Sequence, residues 1–474
     1  MRLLNLRYGF ATNSSSTHSV VLIDKKNHIT DDGEIGKFGW DFFTARSENA
    51  KRVYMGILAM DAIAKVHGLS VEDTCALASA WCGAPIDADM YVDHQSMITL
   101  PTVHAAGYNY SRTTQVSRRF FDDMLNFVLK DEVAILGGND NDEESHSLLA
   151  MSEVVSNSRM RKFFYEDDPK SISARYDETG KFWTLFRKKS GDKIRVSFDP
   201  FADASKSECP ELVDVKITDW CDAGCAYCYQ GSTRDGKHAS KDVIGNIAYE
   251  LGELGVFEVA LGGGEPTAHP DFLNILDQFN WAGIKPNFST RKAEYVHEHR
   301  DKLRGKVGAI GLSADSPRVL RKQLSLLEPC DLDILVQVAV GSCDKEDLCK
   351  MMDICKMFGR GILFLGWKST ERGKSGPAHK VDLKPVLNSY VSKGKFPSWN
   401  GPRVSFDTCM VVEMRGWLKD HKVPEYMFTL REGAHSMYID AVLERMSKSS
   451  YDELFMPLPK KDFREGLMEY FQKL

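Results

Sequence analysis

The chain has 474 residues, 43% hydrophobic and 27% charged, with a formal net charge of −6. That length supports a substantial core and two or three domains, and the weak negative balance excludes a whole-molecule electrostatic argument for nucleic-acid binding. No stretch is long and apolar enough to span a bilayer, and the opening Met1-Arg2-Leu3-Leu4-Asn5-Leu6-Arg7 turns polar too soon for a secretion signal, so a cytoplasmic location with no membrane partner is expected.

Taken in order, residues 12–19 form a hydroxyl-rich polar stretch expected as a loop between two strands. Residues 55–80 carry apolar side chains at helical spacing (Leu58, Ile63, Leu69, Leu77), with Ser70 and Asp73 placed to cap or flank a second helix. Cys75 and Cys82 are expected in that core. A helix over 115–130 would bury Phe120, Phe121, Met124 and Val128, followed by a strand over 133–136. Residues 139–146 are acidic but lack calcium-loop spacing, and read as a solvated face. Two alternating arms around Ser190-Gly191-Asp192 predict a hairpin over 182–198. These elements make an N-terminal α+β domain over 1–205.

From residue 212 the pattern becomes strand, helix, strand. Strands are expected over 213–217, 256–261, 284–289, 307–313, 334–340 and 362–367. Between them run helices over 241–254, 272–281, 291–303, 318–327 and 346–358, with Ser316-Pro317 and Asp344 at helix starts. Such alternation implies parallel strands with right-handed crossovers and a site at their carboxyl ends. Three cysteines, Glu265, Ser289, Ser313, Gln337 and Lys368 all fall at that rim. Further on, 404–409 is a strand-like run ending in Cys409, and 461–474 is an amphipathic helix expected to pack on its own barrel.

Most informative is Cys221-Asp222-Ala223-Gly224-Cys225-Ala226-Tyr227-Cys228. Eleven cysteines in a chain expected to be cytoplasmic argue for metal or catalytic use rather than disulfides. Soft thiolates suit zinc or iron–sulfur. Closed zinc sites take a fourth ligand, for which Asp219, His238 or Cys209 are candidates. Gly262-Gly263-Gly264-Glu265-Pro266 follows a predicted strand. The evenly spaced Cys343, Cys349 and Cys355 point to different sides of a helix and are expected, like Cys330, in structural roles.

Together the residues resemble a radical S-adenosylmethionine (SAM) enzyme. The family's C-x3-C-x-aromatic-C signature is matched by Cys221, Cys225, Tyr227 and Cys228, and its Gly-Gly-Glu by Gly263, Gly264 and Glu265. The resemblance implies an α/β fold, a partial (β/α)6 barrel over 206–380, followed by a small C-terminal extension over 381–474. It further implies that the three cysteines hold one [4Fe-4S] cluster whose fourth iron binds SAM. A 5′-deoxyadenosyl radical made there would abstract hydrogen from substrate. Tyr227 would lie near the adenine, and Gly263, Gly264 and Glu265 would receive the SAM amino group. Ser289, Thr290, Ser313 and Asp315 would contact its carboxylate and ribose; Gln337, Val338 and Leu365 would meet the ribose or adenine. A one-electron donor of flavodoxin or ferredoxin type is an implied partner.

The extension faintly resembles the auxiliary-cluster domain of peptide-modifying members, but contains only Cys409, with Met437 where a cysteine is expected. The basic 367–376 segment reads either as a solvated mobile loop or as an anion-binding mouth beside residues 232–238. A peptide or protein is the first expected substrate, and a nucleotide or nucleic-acid base the alternative. A non-catalytic iron–sulfur or zinc-binding protein is the rival of a different class.

Overall fold

The computed structural model describes residues 2–7, 34–38, 43–67, 69–92, 104–105, 113–130, 133–137, 172–199, 201–392, 399–423 and 428–474. The polar stretch 12–19 and the acidic stretch 139–146 lie outside them.

The N-terminal part contains strands β1 (Arg2–Arg7), β2 (Lys37–Phe38), β3 (Phe43–Ala45), β4 (Tyr91–Val92), β5 (His104–Ala105), β6 (Ile135–Gly137), β7 (Ile172–Asp177), β8 (Phe182–Arg187) and β9 (Lys193–Ser197). The larger sheet runs β1-β9-β8-β7-β5. Helices α1 (Glu48–His67), α2 (Val71–Cys82) and α3 (Thr113–Val128) share its core, where Phe120 meets Trp183 edge-on at 5.3 Å. The Ser70 hydroxyl accepts from the Asp73 amide at 3.1 Å, so the predicted cap forms. Cys82 is fully buried and Cys75 nearly so, as expected of core residues. β8 and β9 form the predicted hairpin, with Leu185 opposite Ile194.

The second part is one sheet. Its strands are β10 (Leu212–Thr218), β11 (Glu258–Gly263), β12 (Lys285–Thr290), β13 (Ala309–Ser313), β14 (Asp333–Ala339), β15 (Gly361–Leu365), β16 (Val404–Phe406), β17 (Ser436–Asp440), β18 (Arg445–Ser447) and β19 (Met456–Pro457). The order is β16-β15-β14-β13-β12-β11-β10-β17-β18-β19, parallel from β16 through β17. Alternation along β10 explains its placement. Val213, Val215 and Ile217 join the helix-side core, while Asp214 and Lys216 line a cavity on the other face. All six strands read from the sequence are present. Segment 381–474 adds a parallel strand to each end of that set, β16 beside β15 and β17 beside β10.

Two local readings change. The helix expected over 291–303 divides at His299 into Ala293–Glu298 and Arg300–Leu303. The 404–409 run is a strand only as far as Phe406. Asp407 then accepts from the Met410 amide at 2.9 Å and caps helix Thr408–Asp420, which places Cys409 in a helical first turn. The last helix, Phe463–Lys473, packs on the barrel through Leu467 and Phe471 as expected.

Candidate active site at the cysteine cavity

Beyond β10 the chain is turned by its own side chains. The Thr218 hydroxyl accepts from the Trp220 amide at 2.9 Å, and the Cys221 amide donates to the Thr233 carbonyl at 2.8 Å. Gly224 has φ +64°, a left-handed conformation that favours glycine, and lets the loop bend between Cys221 and Cys225. Cys221, Cys225 and Cys228 are half-buried free thiols that line one cavity of about 230 Å³. Among the described residues no three His, Cys, Asp or Glu groups are gathered as tightly as a single metal ion requires. Burial pushes the Cys221 thiol up, and Glu265 adds to the effect.

A strap closes over this loop. Arg372 donates from Nε to the Cys225 carbonyl at 3.0 Å and from Nη2 to the Ser232 carbonyl at 2.9 Å, while the Thr370 hydroxyl donates to the Tyr229 carbonyl at 2.9 Å. The 367–376 segment is therefore bound to the cysteine loop rather than free in solvent. Lys368 is buried too, 3.6 Å from Asp407 and over the rings of Tyr229 and Tyr451. Burial opposes its charge, but Tyr229 and Asp407 outweigh that and hold it above the ordinary lysine range.

Glu265 is organised by neutral donors. Its Oε1 accepts from the hydroxyls of Thr267 and Thr290, both at 2.6 Å, and from the Thr267 amide at 3.3 Å. Its Oε2 accepts from the Arg291 amide at 3.1 Å. Three of these four contacts fall on Oε1 and one on Oε2, so the side chain braces the ends of β11 and β12 while Oε2 keeps acceptor capacity. A Cβ on Gly263 or Gly264 would collide with the Thr218 or Trp220 carbonyl, whereas one on Gly262 would meet open space. The glycines thus keep this turn against the cysteine loop and leave its backbone facing the cavity.

Ser289, Thr290, Ser313, Gln337 and Leu365 line the same cavity as the cysteines, Tyr227 and Gly263–Glu265. Asp315 and Val338 do not. Val338 is buried in the helix-side core. Asp315 Oδ2 accepts from the Tyr227 hydroxyl at 2.7 Å and from Arg291 Nη2 at 2.9 Å, so it fixes the tyrosine between the cysteines. Burial raises the Tyr227 hydroxyl above its ordinary range despite Arg291. The sequence reading missed Arg291, Arg372 and Asp214. Asp214 had a usable signal, a carboxylate at an alternating position between Val213 and Val215. Arg372 had none, because only the fold brings it to Cys225.

Three free thiols on one cavity, beside a half-buried glycine turn whose carboxylate has no cationic partner among the described residues, fit an iron–sulfur cluster and the amino group of SAM. Residues 215–356 match the family model described as the Radical SAM superfamily. The chain carries a radical SAM domain. PqqA peptide cyclase of Bradyrhizobium diazoefficiens is 31% identical over 96 residues, 20% of this chain and 25% of that protein. A probable GTP 3′,8-cyclase of Methanothermobacter marburgensis is 32% identical over 15% of this chain and 24% of that protein. Mycofactocin maturase MftC of Mycobacterium tuberculosis is 31% identical over 20% and 25%. The chain thus spans about a quarter of the length of these curated relatives. Among solved structures, Streptococcus suis SuiB bound to precursor peptide SuiA is 12% identical, over 63% of this chain and 87% of that one, with a TM-score of 0.49.

Proposed function

We propose that the chain is a radical SAM enzyme with a single [4Fe-4S] cluster that modifies a peptide or protein. The carrying observation is that Cys221, Cys225, Cys228 and the Gly262–Glu265 turn face one cavity. When bound, the cluster and SAM supply the 5′-deoxyadenosyl radical that takes hydrogen from substrate. The three cysteines hold the cluster, and the Gly262–Gly264 backbone meets the SAM amine. Glu265 fixes that turn and lends it negative charge. Tyr227 is held in place by Asp315 and Arg291, and Arg372 fixes the carbonyl of Cys225. Ser289, Ser313 and Gln337 orient what lies deeper.

Peptide chemistry is supported by the names of two relatives, a peptide cyclase and a maturase. The nucleotide reading is supported by the GTP cyclase relatives and is the second choice. The role of one-electron donor falls to a flavodoxin- or ferredoxin-type protein. Anaerobically reconstituted protein with dithionite and SAM is expected to release 5′-deoxyadenosine. Cys225→Ala is expected to lose iron, labile sulfide and at least about 10³-fold of that product. Zinc in place of iron and sulfide in the parent protein would refute the reading.

A further inference from the structure

A second cavity lies at the opposite end of the strands. Its volume is about 420 Å³, and it opens at Asp333, the first residue of β14, and Gly361, the first of β15. The cysteine cavity is lined by the other ends of those strands, at Ala339 and Leu365. Four residues of β15 separate the two levels, roughly 13 Å at strand rise.

Charged groups dominate its wall: Arg360, Arg403, Lys356 and Asp333. The side chains of Arg403 and Lys356 make no hydrogen bond or ion pair among the described residues, and Arg360 makes one bond, Nη1 to the Leu332 carbonyl at 3.3 Å. Among the described residues Asp333 has no ion pair within 4.0 Å, although Arg403 and Arg360 act on it. The cavity walls push its carboxyl up against that pull. Asp192, the other acid acting on Asp333, is paired with Arg187 at 3.6 Å. Gly361 shapes the site. A Cβ there would stand 2.9 Å from Leu335 Cδ1 and 3.1 Å from Arg403 Nε, so the missing side chain leaves room for both against the strand.

We infer that this cavity binds a small molecule through a phosphate group, with Arg360 and Arg403 as its principal ligands. Three cations against one carboxylate leave an excess of about two positive charges, which matches a phosphate monoester better than a monocarboxylate. Guanidinium forks suit the phosphate oxygens, and Asp333 is placed to accept from a hydroxyl of the same ligand. The volume falls within the roughly 300–1,000 Å³ of small-molecule pockets. This site does not depend on the chemistry at the cysteines.

Calorimetric titration of the full chain, prepared anaerobically, with inorganic pyrophosphate as the probe tests it. Saturable binding of one pyrophosphate per chain is expected, weakened about tenfold or more in Arg360→Gln/Arg403→Gln and retained in Cys225→Ala. Thermal melts check that the double variant folds. Lys356→Gln, at an exposed position, gives an independent loss of a few-fold. Absence of saturation up to about 10 mM, unchanged affinity in folded double variant and in Lys356→Gln, or loss of binding in Cys225→Ala would each overturn the assignment. Acetate binding as tightly as pyrophosphate would overturn the phosphate class.

Discussion

Glu211 and Glu265 are both buried and both accept several hydrogen bonds, yet from opposite kinds of partner. Glu211, near the amino ends of the strands, accepts two bonds from Arg195 at 2.7 Å, lies 3.0 Å from Lys193, and also accepts from Thr184 and Ser207. Burial works against its charge, but Arg195 and Lys193 prevail and hold it well below the ordinary carboxylate range. Glu265, at the carboxyl ends, accepts among the described residues from hydroxyls and backbone amides. One charge is cancelled where the N-terminal hairpin meets the barrel. The other is oriented at the cavity wall with no ion pair among the described residues. Hydrogen bonding of a carboxylate and neutralisation of its charge are separate properties.

The largest expected effect is at Glu211. Glu211→Ala strands the buried Arg195, leaves Lys193 with the more distant Glu258 at 3.8 Å, and is expected to cost about 3–5 kcal/mol in denaturant unfolding of the full chain. A loss below about 1 kcal/mol would mean that the hairpin charges are solvated, and would remove the contrast. Glu265→Gln comes next. It preserves shape but turns an amide donor towards one of the donors now satisfied, and removes the negative charge. SAM affinity of the reconstituted protein, measured by equilibrium dialysis, is expected to fall about 10–100-fold. Unchanged affinity would assign Glu265 to structure alone.

Asp214 sharpens the comparison with a third case, a cavity carboxyl with no hydrogen bond or ion pair among the described residues. Burial pushes it up to about 7 from an ordinary value of 3.8, with Glu432 and Glu258 raising it further and Lys368 opposing. Below the unfolded value both folded and unfolded chains carry its proton. Between that value and about 7 the folded chain binds the extra proton, so stability falls as pH rises through the window. Asp214→Asn is therefore expected to raise stability by about 1–2 kcal/mol at pH 8, discounted for the open cavity, with the gain vanishing near pH 4. A gain independent of pH would show that the carboxyl titrates normally.

Much of this molecule was legible in one dimension because its signals are local. Six strands stood out as apolar runs between capped helices, and the cysteine spacing and the glycine turn were read directly. Other features depend on residues far apart in sequence. Arg372 reaches Cys225 across 147 positions, and Asp315 reaches Tyr227 across 88. Segment 367–376 read either as a solvated loop or as an anion-binding mouth, because composition records charges but not their partners. Cys409 looked strand-terminal because an apolar run does not reveal that Asp407 caps a helix within it.

The sequence alone determined the strand–helix alternation, the three thiols and the Gly-Gly-Glu turn, since periodicity, spacing and backbone freedom are properties of neighbouring residues. Tertiary structure alone decided that segment 381–474 supplies strands to both sides of the barrel, that Glu265 accepts from the Thr267 and Thr290 hydroxyls, and that Arg360 and Arg403 share a second cavity. Those outcomes depend on which distant groups meet, and on burial. Burial determines whether a charge is cancelled, oriented or left available.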